Sequence, residues 1–94
     1  MWLNEVMYRK DFAYYAKTCF ELFGDRVKHW VTFNEPNLST IFGYLNGTFP
    51  PARCSRPYGN CTQGDSDKEP FLVSYHIIMS HARAVNIYRN NYQV

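Results

Sequence analysis

A glutamate between an asparagine and a proline is the point in this sequence that most suggests chemistry. Thr32-Phe33-Asn34-Glu35-Pro36 closes the β-branched and aromatic run Val27-Lys28-His29-Trp30-Val31-Thr32-Phe33. That run predicts a strand over 27–33 whose apolar end is buried on both faces, and Pro36 ends it because proline cannot donate to a ladder. The carboxyl ends of parallel strands bear the active sites of α/β folds. A carboxyl placed there, walled by Trp30, Phe33 and loop aromatics, is partly desolvated. Loss of solvent favours the neutral, proton-bearing form that a general acid needs. The same spacing also fits a plainer role, a loop glutamate that caps or bridges a neighbour.

Other residue types offer less. His29, His76, His81 and three cysteines lack the CxxC or HExxH spacing of a zinc site, so no metal is expected. His76 and His81 are five apart on a predicted helix, do not stack, and read as surface or second-layer polar groups. There is no Gly-rich phosphate loop and no Gly-x-Ser-x-Gly elbow. The net charge of +2 comes from interspersed charges, which argues against nucleic acid as a partner. No apolar stretch approaches the roughly 20 residues of a membrane span, so no membrane partner is expected.

Cys54 and Cys61 flank a turn-rich hexapeptide that a disulfide can close, given an oxidising compartment. Cys19 sits in a helical pattern as a small hydrophobe. Asn37, Asn46 and Asn60 each begin an Asn-x-Ser/Thr sequon, of which Asn46 and Asn60 are the candidate glycosylation sites. The start, Met1-Trp2-Leu3-Asn4-Glu5, has neither a charged n-region nor an apolar h-region. The chain therefore reads as cytosolic or as a segment whose beginning lies upstream, and the cysteines lean toward the second.

The elements that must position Glu35 can be read from periodicity. Phe12, Tyr15, Ala16, Cys19, Phe20 and Phe23 follow the spacing of a helix over 8–23 that buries one face and stops at Gly24 as a C′ glycine. After the strand, Leu38, Ile41, Phe42 and Leu45 share a face of a short helical turn. Residues 47–68 are rich in Pro, Gly, Asn, Ser and Asp and read as a long loop, a kind that usually carries function or is disordered. A last helix spans about 70–92, with Phe71, Tyr75, Ile78, Met79, Ala82 and Val85 as its apolar face. Helix followed at once by a doubly buried strand is half of a parallel α/β unit. A lone strand of this kind leaves both edges unpaired, so something is missing from it.

The motif Thr32-Phe33-Asn34-Glu35-Pro36 resembles the acid/base motif of family 1 glycoside hydrolases. The likeness extends through Asp11-Phe12-Ala13-Tyr14-Tyr15-Ala16 and Phe23-Gly24-Asp25-Arg26-Val27-Lys28-His29-Trp30, and through Pro51-Ala52-Arg53-Cys54-Ser55 and Asn60-Cys61-Thr62-Gln63-Gly64-Asp65-Ser66, a two-cysteine loop similar to that of plant β-glucosidases. It continues through Glu69-Pro70-Phe71 and His81-Ala82-Arg83-Ala84-Val85-Asn86 and so covers essentially the whole chain.

The resemblance implies that residues 1–94 are a fragment of one barrel domain, a partial (β/α)8 TIM barrel of α/β class comprising helix 3, strand 4, a long loop and helix 4. It implies retaining hydrolysis of terminal β-D-glucosyl O-glycosides, a β-glucoside as small-molecule partner, and no cofactor. Glu35 takes the acid/base position and Asn34 that of the asparagine bonding the sugar 2-hydroxyl. Cys54 and Cys61 take the places of the paired loop cysteines, and the parent protein is placed in the secretory pathway, in vacuole or extracellular space. Plant relatives that cleave thioglucosides carry Gln where this chain has Glu35, so an O-glycosidase is favoured. The sequence departs in one respect that matters. Retention needs a second carboxylate roughly 5 Å away as nucleophile, and the family's I/V-T-E-N-G motif that supplies it is absent from these residues. The chain alone is expected to be inactive. The rival readings are a non-catalytic short product and a carbohydrate-binding remnant. The oligomeric state is not legible.

Overall fold

Phe12, Ala16 and Phe20 recur at the spacing of one helix face, and all three are buried in the computed structural model, which describes residues 2–5 and 8–93. A π-helical turn at Tyr8–Phe12 leads into helix α1 (Ala13–Phe23), and the Gly24 N–H closes it on the Phe20 carbonyl at 3.0 Å. Gly24 has φ −62°, so the helix ends in right-handed backbone and not in the left-handed C′ conformation expected. Helix α2 (Pro36–Thr40) is continued by a second π-helical stretch at Ile41–Leu45. Helix α3 (Glu69–Asn91) is the longest element.

The chain forms two compact units, Met1–Asn34 with Ile77–Val94, and Glu35–His76. In the first, Phe12, Ala16, Phe20 and Ala84 make the core, with Trp30, Phe33, Ile87 and Tyr88 packed against it. Phe20 meets three rings, Trp30, Tyr88 and Tyr92, at 5.0 to 5.5 Å between centroids. Full burial of such a ring stabilises by about 1.5–3 kcal/mol, with about 0.5–1.5 kcal/mol more for each well-oriented aromatic pair. In the second unit, Tyr44, Cys54, Val73, His76 and the hydroxyls of Thr40 and Ser66 are buried.

Two expectations need correction. The strand over 27–33 does not form, and the described residues contain helices and no strand. A strand exists only by hydrogen bonding to a neighbour, and the described residues offer none. The (β/α)8 element pattern is therefore not seen in the chain by itself. The second correction concerns α3. Its expected apolar face stands largely in solvent, with Phe71 77%, Tyr75 55% and Ile78 64% exposed. Val73, His76, Ile77, Ser80 and Ala84 are buried instead. The two stripes are offset by two residues, about 200° around the helix, so α3 is apolar on opposite sides. Periodicity finds both stripes but not which one meets the core. Tyr15 on α1 repeats the pattern, being 63% exposed, and Cys19 is half-buried with a free thiol.

Candidate active site

The approach to Glu35 is fixed by side chains and not by main-chain pairing. Trp30 packs edge-on against Phe20 at 5.0 Å, and Phe33 lies stacked on Phe12 at 4.7 Å with 15° between planes. Trp2 meets the Phe33 ring edge-on at 5.5 Å. Between these anchors, Thr32 Oγ1 and His81 Nδ1 share a hydrogen bond of 2.7 Å, which ties the segment to α3. Val31 points away and is 85% exposed. The first unit thus holds the whole run up to Asn34, whose side chain is exposed.

Glu35 opens the second unit and has a left-handed backbone, φ 46° and ψ 60°. The following Pro36 disfavours the right-handed helical region for the residue before it. Proline suits the first turn of α2, which it begins. The Glu35 carbonyl accepts from the N–H of Leu38 at 3.0 Å and of Ser39 at 3.4 Å, so this residue caps the helix through its backbone. For a side chain with a Cβ the left-handed region costs about 1–2 kcal/mol. The cap, the proline and Thr40 Oγ1, which donates to the Pro36 carbonyl at 2.9 Å, hold the turn in place. The plainer reading of Glu35 as a cap is thus true of its backbone, and the carboxylate stays free for other use. It is exposed, however. Trp30 and Phe33, the aromatics expected to wall it, pack on Phe20 and Phe12.

The loop after α2 is tied down by covalent and polar links. Cys54 and Cys61 are disulfide-bonded, with Cα atoms 5.3 Å apart. The Cys54 N–H donates to the Gln63 carbonyl at 3.0 Å. Ser55 and Ser66 bond reciprocally: the Ser55 N–H donates to Ser66 Oγ at 2.7 Å and the Ser66 N–H to Ser55 Oγ at 2.8 Å. Ser66 Oγ also donates to the Leu45 carbonyl at 2.7 Å, so one buried hydroxyl joins three stretches of chain. Asn46 is half-buried, its Oδ1 accepting from the N–H and hydroxyl of Thr48. Asn60 is exposed, its Oδ1 accepting from Arg56 Nη2 at 3.3 Å.

Arg53 clamps the first residue of α3, with Nε on Glu69 Oε1 and Nη2 on Glu69 Oε2, both at 2.8 Å. This hydrogen bonding holds the Glu69 carboxyl below the usual carboxylate range and raises the Arg53 guanidinium. Burial pushes the Tyr44 phenol up, with Arg53 pulling it partly back and Glu69 adding to the rise. Neither the clamp nor the Thr32–His81 pair was legible in sequence, since partners 16 and 49 residues apart leave no local signal. His81 is exposed and bonded to Thr32, whereas His76 is buried. Among the described residues no three His, Cys, Asp or Glu side chains converge as a metal site would require.

Comparison with known proteins gives this geometry a context. The family model described as Glycosyl hydrolase family 1 matches residues 1–94. β-Glucosidase 47 of Arabidopsis thaliana is 56% identical over 92 residues, which are 98% of this chain and 17% of that protein. The probable inactive β-glucosidase 14 of Oryza sativa subsp. japonica is 53% identical, again over 98% of this chain and 18% of its own length. Among solved structures, a rice β-glucosidase superposes with a TM-score of 0.89 at 49% identity, and 97% of this chain covers 19% of that one. A β-glucosidase from the fungus Humicola insolens, solved with glucose, gives the same TM-score at 41% identity, with 97% of this chain and 19% of that one covered. The chain therefore spans under a fifth of the length of these relatives.

Proposed function

Because this chain belongs to glycosyl hydrolase family 1, we propose that it is the part of a retaining β-glucosidase that carries the proton-transferring carboxyl, Glu35. The observation behind this reading is the placement of that carboxylate. It follows a segment anchored by Trp30 and Phe33, precedes a proline-started helix, and keeps its oxygens in solvent while its backbone does the capping. In the whole protein the segment Val27–Phe33 pairs with neighbouring strands of a barrel, and α1 and α3 cover it from outside.

The chemistry is a two-step exchange. Glu35 gives its proton to the glycosidic oxygen as the bond from that oxygen to the anomeric carbon breaks, and a second carboxylate, outside these residues, forms an ester to the same carbon. The Glu35 carboxylate then takes a proton from water as the water oxygen displaces that ester. Asn34 donates to the sugar 2-hydroxyl oxygen, a contact that tightens toward the transition state. Terminal β-D-glucosides are the substrate class. Without the nucleophile the 94-residue chain does not turn over.

The test grafts residues 1–94 into the rice β-glucosidase in place of its matching segment. The graft is expected to hydrolyse p-nitrophenyl β-glucoside. Glu35→Gln should lower kcat on an alkyl glucoside by about 10²–10⁴-fold, the usual worth of positioned proton transfer. It should leave formation of the glucosyl-enzyme from a dinitrophenyl glucoside, which needs no acid, close to normal. Azide, which needs no base, should restore release. A folded Glu35→Gln graft with unchanged turnover on the alkyl glucoside would sink the assignment.

A further inference from the structure

Asn46-Gly47 is the only point in the sequence where an asparagine is followed by a residue with no side chain. Such a pair can react with itself, because nothing on the second residue shields its backbone nitrogen from the amide carbon of the first. Here the pair rides on the Cys54–Cys61 bond. Gly47 has φ 72°, and a Cβ on it would overlap Cys61 Sγ and come within 3.2 Å of Cys54 Sγ. Asn46 is half-buried beside it, with its carbonyl oxygen 4.0 Å from Cys61 Sγ. The Asn46 side-chain Oδ1 accepts from the Thr48 N–H at 3.1 Å and from the Thr48 hydroxyl at 2.9 Å.

We propose that Asn46 is a self-modifying site held inactive by the Cys54–Cys61 disulfide, and that opening of this bond releases it. A dithiol opens the bond by giving two electrons and becoming a disulfide itself. Gly47 N then bonds to Asn46 Cγ and loses its proton. The Cγ–Nδ2 bond breaks, and Nδ2 keeps the electron pair, takes up a proton and leaves as ammonia. Water opens the resulting imide: its oxygen bonds to one ring carbonyl carbon, that carbon's bond to Gly47 N breaks, and the nitrogen regains a proton. Opening at Cγ gives aspartate, and opening at the backbone carbon gives isoaspartate.

The folded turn opposes the first step. The imide ring is nearly flat, so Gly47 N must lie eclipsed with Asn46 Cβ about the Cα–C bond. At ψ −13° it is eclipsed with the Asn46 nitrogen instead, a different substituent of the tetrahedral Cα. Turning about that bond moves Gly47 against the two sulfurs on which it is packed. It also breaks the hold of Thr48 on Oδ1. With the disulfide closed, the turn therefore requires local opening of a cross-linked loop. With it broken, the remaining restraint on the amide is a pair of hydrogen bonds from an exposed threonine. Isoaspartate lengthens the main chain by a methylene where Gly59 and the sulfurs leave no room, so the loop cannot close as before. Modification at Asn46 thus records time spent reduced.

The experiment holds the full chain, made without glycans, at neutral pH with the disulfide closed or open. Peptide mass spectrometry locates aspartate and isoaspartate, and isoaspartyl methyltransferase counts the latter. Dithiothreitol, or Cys54→Ser with Cys61→Ser, should speed conversion at Asn46 by about 10–100-fold while the helical circular dichroism persists. Thr48→Val with the disulfide closed should speed it by about 2–5-fold, and Asn46→Gln should abolish the product. Conversion no faster at Asn46 than at Asn60 or Asn90 in the reduced chain overturns the site. Equal rates at Asn46 with the bond open and closed overturn the lock. Acceleration that comes only with loss of the helical signal also overturns it, because unfolding and not the bond then sets the rate. The readout is the mass of one residue, so failure here is distinct from failure of the role given to Glu35.

Discussion

Arg53 grips Glu69 through two parallel hydrogen bonds of 2.8 Å, and in doing so fastens the disulfide loop to the first residue of α3. Side-chain exposures of 28% and 14% leave the pair partly shielded from water. Because the folded carboxyl lies below its ordinary value, its contribution to stability is complete above the unfolded glutamate value of about 4.3 and is lost as pH falls through the depressed folded value. Urea unfolding followed at pH 7 and at successively lower pH should show this acid limb. Glu69→Gln should cost about 1–2 kcal/mol at pH 7, allowing for partial exposure, and should flatten the limb. An unchanged limb in the variant would locate the acid sensitivity elsewhere.

The Cys54–Cys61 ring is small, so opening it releases a modest loop entropy, about 2–3 kcal/mol on the chain-entropy scale. Reduction, or paired replacement by serine, should lower the stability of the Glu35–His76 unit by that amount. Gly59→Ala should destabilise the same unit by about 1–3 kcal/mol with the disulfide intact, because a Cβ there meets the Asn46 carbonyl at 2.6 Å and Cys54 Sγ at 2.7 Å. Amide hydrogen exchange with and without reductant checks both, and protection unaffected in this unit would refute them.

At position 35 stability and chemistry pull apart. Glycine takes the left-handed conformation without the Cβ penalty, so Glu35→Gly should be more stable than Glu35→Ala by about 1 kcal/mol. Equal unfolding midpoints for the two would mean that the turn relaxes away from φ 46°.

Thr32→Val keeps the shape of the side chain and deletes its bond to His81. The cost should be about 0.5–1.5 kcal/mol, with a shift in the His81 imidazole NMR signals as its partner is lost. An unmoved His81 resonance would show that the pair is not formed in solution.

Phe71 and Tyr75 early in α3, and Val31 between the aromatic anchors, are more than half exposed. Apolar side chains left so open favour association. Light scattering should show concentration-dependent self-association of the 94-residue chain, reduced by Phe71→Lys. A monodisperse monomer at high concentration would contradict this.

How much of this was visible in the residues depends on range. Helix α1 and the turn before it were legible because Phe12, Ala16 and Phe20 repeat at helical spacing, and α3 was legible in extent for the same reason. Its buried side was not, because Val73, Ile77 and Ala84 form a second stripe as regular as that of Phe71, Tyr75 and Ile78. Choosing between them needs the partner surface. The run Val27–Phe33 was legible as chain that wants to be a strand, yet strand formation is a property of pairs, and a single sequence segment cannot satisfy it. Glu35 was legible as a motif and Cys54–Cys61 as a bond. The turn of the Glu35 backbone, the Arg53–Glu69 clamp and the Ser55–Ser66 exchange depend on which distant residues happen to meet, and periodicity does not record that.

Trp30 and Phe33 have one more consequence. With one ring already seated on Phe20 and the other on Phe12, the chain between them cannot slide along its own axis without unseating both. Any strand that comes to lie beside it therefore meets a fixed zero mark. The aromatic anchors act as the origin of a ruler, laid down by side chains alone.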